Sequence, residues 1–294
     1  MEKALRNKKV IMIFVLPGLL FYFIIILFPI LKSFQYSLYE WNGINLPAFI
    51  GFQNYIDIFT KDNPSFWDAS FNSLILAACS VFIQIPIALI LALILALGVK
   101  GEKTYRTIYF IPVIISTVII GQLWMKIYHP TYGILNVVLD NIGLASLKRE
   151  WLAKTETALF ATIIPIIWQY IGYHMLLLYT SAKSISADIY ESARIDGANN
   201  FTIAAKITIP LIQPMLKTCV IFAVIGSIKS FDLIYILTKG GPMHATEVPS
   251  TLMYNSIFVQ YGYGYGSSMA IMIILECLVF TLLIQKIFPK ERIE

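Results

Sequence analysis

The chain has 294 residues, of which 58% are apolar and only 13% are charged, and its mean hydropathy is +0.74. A water-soluble domain with a polar surface does not have this composition, so we predict a membrane protein. The formal net charge of +5 comes from basic loops between apolar runs, and no nucleic acid partner is needed to explain it.

Apolar runs long enough to cross a bilayer, which takes about 20 residues, dominate the sequence. The four runs that carry no charge are Val10–Leu31, Ala69–Val99, Thr107–Met125 and Thr157–Ala182. Two further runs contain charged residues: Leu211–Leu237 holds Lys217, Lys229 and Asp232, and Gly262–Ile287 holds Glu276 and Lys286. We therefore predict an all-α membrane protein in which residues 1–294 form a single transmembrane domain, with six helices at residues 10–33, 70–99, 107–127, 157–182, 211–237 and 263–287.

The first run follows a basic cluster, as the apolar part of a signal peptide does. Its length exceeds the roughly 7–15 residues of a signal peptide, and no small-residue cleavage site follows Leu31, so we expect it to stay attached. Lysine and arginine concentrate at the N-terminus, in Lys100–Arg106, in residues 183–217 and at the C-terminus. Because basic loops remain in the cytoplasm, we predict that both termini and the 183–217 segment are cytoplasmic.

The loops and the cysteines carry less information about chemistry. Residues 34–68 are rich in aromatic side chains, which favours turns that lie at the membrane interface.

Cys79, Cys219 and Cys277 all lie inside predicted spans, so we expect neither a disulfide framework nor a metal site. No glycine-rich phosphate loop is present, so the sequence predicts a protein that hydrolyses no ATP itself and is not an enzyme.

One polar segment between two apolar runs has a recognisable local design. In ISADIYESARIDGANNFTIAAKITIPLIQP, which covers residues 185–214, Ser186 is placed to cap a helix. Gly197 supplies a break at which a positive φ is tolerated, and a second short helix follows it. A protrusion of two short helices is a structure that a partner can bind, although a solvated loop remains the alternative.

This segment resembles the cytoplasmic EAA loop of the membrane subunits of bacterial ABC importers. Glu191, Ser192 and Ala193 stand for Glu-Ala-Ala, Gly197 is the loop glycine, and Ile209-Pro210 closes the pattern. Ser192 departs from the family alanine by a small-for-small change. Further stretches resemble the maltose-type permeases of the carbohydrate-uptake branch: WNGI at 41–44, FIGFQNY at 49–55, RTIYFIP at 106–112, GQLW and HPTYGILN between 121 and 136, and FDLIYILTKGGP at 231–242.

The resemblance covers nearly the whole chain and implies the type I permease fold of ABC importers, located in a bacterial cytoplasmic (cell) membrane. It further implies a sugar substrate, an oligosaccharide in our interpretation, and four partners: a second permease, two cytoplasmic ATPase subunits that bind ATP and Mg, and an extracytoplasmic sugar-binding protein. This chain itself is then expected to bind no cofactor. Residues 185–210 would be the coupling loop to the ATPases, with its contacts made by Tyr190, Glu191, Ser192, Ala193, Asp196, Gly197 and Ala198.

Sugar sites combine flat aromatic faces with amide, hydroxyl or charged groups. In the fourth span these groups are offered by Trp168, Gln169, Tyr170, Tyr173 and His174. Gln122 with Trp124 offers them in the third span, although packing alone explains such residues equally well. The resemblance places the sugar near Tyr170, Tyr173 and Ser227. The candidate residues of the substrate pathway are therefore Gln122, Trp168, Gln169, Tyr170, Tyr173, Ser227, Lys229 and Asp232.

Charges inside the fifth and sixth spans favour an internal ion pair over direct substrate contact. A charge within a span is costly, roughly 2.5–3.5 kcal/mol on insertion scales, and usually faces a cavity or a partner. We expect Lys229 to pair with Glu276, with Asp232, one turn from Lys229 on the same face, as the competing partner. The same buried charges keep open an ion-coupled secondary transporter as another function. The sequence does not identify the substrate, and an ABC importer for a substrate of the glycerol phosphate type is also compatible with it.

Overall fold

The computed structural model describes residues 8–60 and 65–288, and their side chains from residue 12 onward. The described chain forms two compact units. Unit 1 contains residues up to 60 together with residues 253–274, and unit 2 contains residues 65–252 together with residues 275–288.

Unit 1 begins with a long apolar helix and continues into a small hairpin. Its elements are α1 (Lys8–Tyr22), a π-helical turn (Phe23–Leu27), α2 (Phe28–Ser37), β1 (Tyr39–Glu40), β2 (Ala48–Phe49) and α3 (Gln53–Thr60). The strands pair antiparallel, with Tyr39 opposite Phe49. Every side chain from Met12 to Leu31 is exposed, so this span packs against lipid or another subunit rather than into a core of its own.

Unit 2 holds most of the remaining helices. They are α4 (Phe66–Cys79), a π-helical turn (Ser80–Gln84), α5 (Ile85–Ala96), α6 (Glu102–Ile114), α7 (Thr117–Ile127), α8 (Ile134–Asn141), a 3-10 turn (Ala145–Leu147), α9 (Thr155–Lys183), α10 (Ala187–Ile195), α11 (Asn200–Ile203), a π-helical turn (Ala204–Thr208), α12 (Ile209–Leu211), α13 (Gln213–Ile228) and α14 (Asp232–Thr238). The last elements of the chain are α15 (Pro249–Tyr254), a π-helical turn (Asn255–Val259) and α16 (Tyr263–Ile287), which begins in unit 1 and ends in unit 2.

The helical membrane architecture that the sequence predicts is confirmed. Five stretches in the described residues are long and apolar enough to cross a membrane: Met12–Ser37, Phe66–Ala96, Thr155–Lys183, Gln213–Thr238 and Tyr263–Ile287. The predicted span at 107–127 is instead two helices, α6 and α7, which meet at an angle of 94°. Counted as one broken span, this pair brings the number to six.

The break between α6 and α7 has a local cause. Ile115 and Ser116 both adopt extended backbone conformations, so the helix stops there. Pro112 lies one turn earlier and has no N–H to donate, and the β-branched residues that follow it favour helix weakly. The span therefore bends at the point where its own sequence supports helix least.

Two apolar clusters form the core of unit 2. The first joins α5, α9 and α13 through Ala88, Ala92, Leu178, Cys219 and neighbouring residues. The second joins α4, α7, α9 and α14 through residues that include Leu76, Ile120, Ile163 and Ile234. On α9 the residues of the two clusters are separated by a stretch that belongs to neither, from 168 to 174.

Candidate functional site

A cavity of about 410 Å³ lies in unit 2. Ligand pockets in proteins typically measure about 300–1,000 Å³, so the space suffices for a small ligand. Its walls come mainly from three membrane helices, at or beside the stretches that separate the two apolar clusters: the π-helical turn after α4, the middle of α9, and the junction of α13 with α14. Thr117, the first residue of α7, also lines it. The lining residues are Ser80, Gln84, Thr117, Ile166, Gln169, Tyr170, Tyr173, His174, Phe222, Ala223, Ile225, Gly226, Ser227, Lys229, Ser230, Phe231, Asp232 and Leu233.

The fifth membrane helix is discontinuous where it borders this cavity. Helix α13 ends at Ile228, residues 229–231 are not helical, and α14 begins at Asp232. Lys229 therefore follows the negative end of one helix dipole, and Asp232 lies at the positive end of the next, so each charge has a favourable position. The expectation that Asp232 lies one helical turn above Lys229 on the same face is wrong, because the helix breaks between them.

Glu276 does not pair with Lys229 in the described residues, which contradicts the ion pair that we expected. The Ser70 hydroxyl instead donates a hydrogen bond of 2.7 Å to Glu276 Oε1. This bond joins α4 to the second half of α16 within unit 2. Lys229 and Asp232 are both exposed in the isolated chain, so their charges remain available at the cavity.

Two buried polar atoms in the cavity wall lack hydrogen-bond partners among the described residues. They are Gln169 Oε1 and His174 Nδ1, on side chains that are 2% and 3% exposed. A buried polar atom without a partner costs about 1–3 kcal/mol, so such atoms mark places where a water or a ligand is expected. Ser227 Oγ, by contrast, donates to Ala223 O at 2.8 Å and lies 3.3 Å from Ser80 Oγ.

The structure brings together most of the candidate pathway residues. Gln169, Tyr170, Tyr173, Ser227, Lys229 and Asp232 all line the cavity. Gln122 and Trp168 do not; Trp168 packs edge-to-face on Trp124, with ring centroids 6.0 Å apart. The role of these residues in transport stays a prediction.

Sequence reasoning missed several polar lining residues, among them Ser80, Gln84 and Thr117. Ser80 and Gln84 are the first and last residues of the π-helical turn, a feature often found at functional sites. Isolated polar residues inside an otherwise apolar run were the available signal. His174 was visible beside Tyr173 but was not included as a pathway residue.

The 185–210 segment forms the two short helices that the sequence predicts. Ser186 caps α10 by accepting a bond from the Asp188 N–H at 3.4 Å, and Asn199 caps α11 by accepting from Thr202 at 2.8 Å. Gly197 separates them with φ +82°, and the Ala198 N–H returns to Ala193 O at 2.9 Å. This pattern is a glycine-terminated helix end, which fixes the direction in which the second helix leaves.

The candidate coupling residues divide into anchors and exposed groups. Ala193 is buried. The Tyr190 hydroxyl lies 3.3 Å from Thr208 Oγ1 and 3.4 Å from Ala182 O, so Tyr190 holds the segment to the end of α9. Glu191, Ser192, Asp196 and Gly197 are exposed, and Ala198 is half-buried. Sequence reasoning missed two exposed apolar side chains, Ile195 at 85% and Phe201 at 81%, which extend this surface.

Known proteins match this chain over nearly its full length. Residues 70–293 match the family described as binding-protein-dependent transport system inner membrane component. The probable ABC transporter permease protein YurN of Bacillus subtilis is 35% identical over 98% of this chain and 99% of its own. The trehalose/maltose transport system permease protein MalF of Thermococcus litoralis is 32% identical over 96% of this chain and 94% of its own.

Solved structures share the fold. A chain of a bacterial ABC transporter involved in the import of the acidic polysaccharide alginate superposes with a TM-score of 0.81 at 24% identity, covering 97% of this chain and 96% of that one. A second structure, of a bacterial alginate ABC transporter in complex with an alginate pentasaccharide-bound periplasmic protein, gives a TM-score of 0.80.

Proposed function

Because the chain belongs to the family of binding-protein-dependent transport system inner membrane components, we propose that it forms part of the passage for an oligosaccharide in an ATP-driven importer. The protein is a permease subunit of the cell membrane, as its apolar helices and its permease relatives indicate. What remains a proposal is the substrate, the partner subunits and the residues that act on them.

One observation carries the proposal of a passage in unit 2. Gln169 and His174 present buried polar atoms that have no hydrogen-bond partner in the described part of the chain, and the same cavity is lined by Tyr170 and Tyr173. Lys229 and Asp232 line it at a helix break. Aromatic faces pack on the C–H faces of a sugar, while amide, imidazole and charged groups exchange hydrogen bonds with its hydroxyls. A discontinuous membrane helix is the usual way to bring backbone groups and charges to a substrate within the bilayer.

The driving energy is proposed to come from partners. A second permease, two ATPase subunits with their ATP and Mg, and an extracytoplasmic binding protein would complete the importer, and this chain would bind no cofactor. The exposed surface of the 185–210 segment supports this arrangement, because a short helix presented on a rigid turn suits a groove in a soluble partner. Glu191 would face a basic residue there, while Ile195 and Phe201 would add apolar contact area.

The test is reconstitution of the whole complex in proteoliposomes with binding protein outside and ATP inside. We expect uptake of at least one neutral trisaccharide (maltotriose, cellotriose or triacetylchitotriose) that stops when ATP or binding protein is omitted. Gln169→Leu should reduce uptake, whereas Thr180→Val, on an exposed position of the same helix outside the cavity, should not. Uptake by this chain alone, driven by an ion gradient, would show a secondary transporter instead, and uptake of glycerol phosphate but no sugar would overturn the substrate class.

A further inference from the structure

Unit 1 contains a cavity of its own, of about 570 Å³. It is formed by the β1–β2 hairpin loop, α3 and the turn that precedes α16. Its polar and aromatic lining consists of Glu40, Trp41, Asn42, Asn45, Gln53, Asn54, Asp57, Gln260, Tyr261 and Tyr265. Aromatic faces, side-chain amides and carboxylates thus occur together, and neither lysine nor arginine is among the lining residues.

Local hydrogen bonds hold the hairpin loop in a fixed shape. Asn42 Oδ1 accepts from the N–H groups of Ile44 and Asn45 at 3.1 and 2.9 Å, and Trp41 Nε1 donates to Asn45 O at 3.0 Å. Gly43, at φ +81°, lies so close to Tyr263 that an added Cβ would approach its ring to 2.7 Å. The loop is therefore pre-formed, which lowers the entropy that a ligand must overcome on binding.

The opposite wall is equally constrained. The buried Asn54 side chain donates to Ser37 O at 2.8 Å and to Tyr39 O at 3.0 Å. Tyr261 has φ +57°, a conformation that a bulky residue rarely adopts and that tends to occur at functional sites. Its ring is 59% exposed beside Gln260, whose side chain is also exposed. The fold thus maintains an unfavourable backbone geometry that presents an aromatic ring and an amide at the same rim.

From this combination we infer that the unit 1 cavity is a second saccharide site, selective for neutral oligosaccharides. Trp41, Tyr261 and Tyr265 supply apolar faces for sugar rings, and Asn45 and Gln260 supply exposed amides for hydroxyls. Glu40, whose side chain is exposed, is an acceptor for hydroxyl groups, and its charge disfavours carboxylated or phosphorylated sugars in a lining that contains neither lysine nor arginine. The predicted orientation places the connections that line this cavity, residues 40–57 and 260–265, on the outer side of the membrane, where sugar arrives.

The inference rests on the proposed sugar transport, and its test distinguishes the two. Hydrogen–deuterium exchange is measured on the complete transporter in lipid nanodiscs, without binding protein, with maltotriose, cellotriose, triacetylchitotriose and trigalacturonate as probes. We expect slower exchange of peptides covering 39–49 and 259–266 with at least one neutral trisaccharide and no change with trigalacturonate. Asn45→Ala and Gln260→Ala should each weaken the apparent affinity about 2- to 10-fold, as one lost hydrogen bond predicts.

Two variants outside the cavity serve as controls. Asn141→Ala removes an exposed amide at the end of α8 and should leave the protection of unit 1 unchanged. Gln169→Leu should reduce uptake while the protection of unit 1 persists. The inference is overturned if none of the neutral trisaccharides slows exchange in unit 1, or if Asn45→Ala and Gln260→Ala leave the protection unaltered. If ATP-dependent uptake continues in either case, the proposed function still stands. Protection without any ATP-dependent uptake overturns the proposed function instead.

Discussion

Gly172 is the position at which one added methyl group should disturb the site most. An ideal Cβ there would lie 1.9 Å from the carbonyl oxygen of Tyr109 and 3.0 Å from Phe110 Cα. Real Cβ atoms do not approach other atoms closer than about 3.0 Å, so α6 and α9 must separate by about 1.1 Å, the difference between 3.0 and 1.9 Å, in Gly172→Ala. Backbone, unlike a flexible side chain, cannot rotate out of the way.

Such overpacking typically costs about 1–3 kcal/mol. With roughly 2–4 °C per kcal/mol for a domain of this size, we expect the apparent melting temperature to fall by about 2–12 °C. Gly18→Ala is the matched control, because nothing lies within 4 Å of its added Cβ and alanine favours helix. Tryptophan fluorescence or size-exclusion chromatography after heating the purified complex measures both. Equal melting temperatures for the two variants would refute the close contact of α6 with α9.

Three further predictions follow from the site and the segment. His174→Leu should abolish or strongly reduce sugar uptake in proteoliposomes while the complex assembles normally, since it removes a polar atom that has no structural partner; unchanged uptake would exclude His174 from the passage. Lys229→Gln and Glu276→Gln should lower the yield of folded complex additively, because the two side chains form no ion pair, and recovery in the double variant would contradict this. The Glu191→Lys and Gly197→Pro variants should insert into the membrane at normal levels but lose uptake. They should also either lose the ATPases or no longer stimulate ATP hydrolysis. Wild-type uptake with bound ATPases would show that the 185–210 segment is only a solvated loop.

The helices were predictable because lipid imposes a simple requirement on composition. An uncharged run of about 20 residues has few alternatives to a membrane helix, so the runs at Ala69–Val99 and Thr157–Ala182 identify their helices. The 185–210 segment was predictable for local reasons, since a capping serine and a glycine at φ +82° act within a few residues.

The breaks in the third and fifth spans were not predictable in the same way. Residues 228–232 contain neither glycine nor proline, and nothing local requires the helix to stop after Ile228. The bend at Ile115 does have a local weakness, but its 94° angle accompanies the backbone contact between Tyr109 and Gly172, which are 63 positions apart. Contacts between residues far apart in the sequence, rather than local sequence alone, thus determine where and how sharply these helices break.

The two cavities likewise could not be predicted in full from local sequence. Aromatic and polar residues in the fourth span suggested Gln169, Tyr170 and Tyr173, whereas Ser80 and Gln84 join them only through packing of another helix. The unit 1 cavity combines the hairpin at residues 39–49 with a turn about 220 positions later, and no periodicity links the two stretches.

The central claim is that sugar passes through the unit 2 cavity. Ser230→Cys, made after Cys79, Cys219 and Cys277 are replaced by serine, places a thiol on the cavity wall at the helix break. The measurement is its rate of modification by a membrane-impermeant methanethiosulfonate reagent in the reconstituted complex. The account predicts that modification blocks uptake and is slowed when the imported sugar and loaded binding protein are present. Modification at the same rate with and without sugar, with uptake intact afterwards, would contradict it.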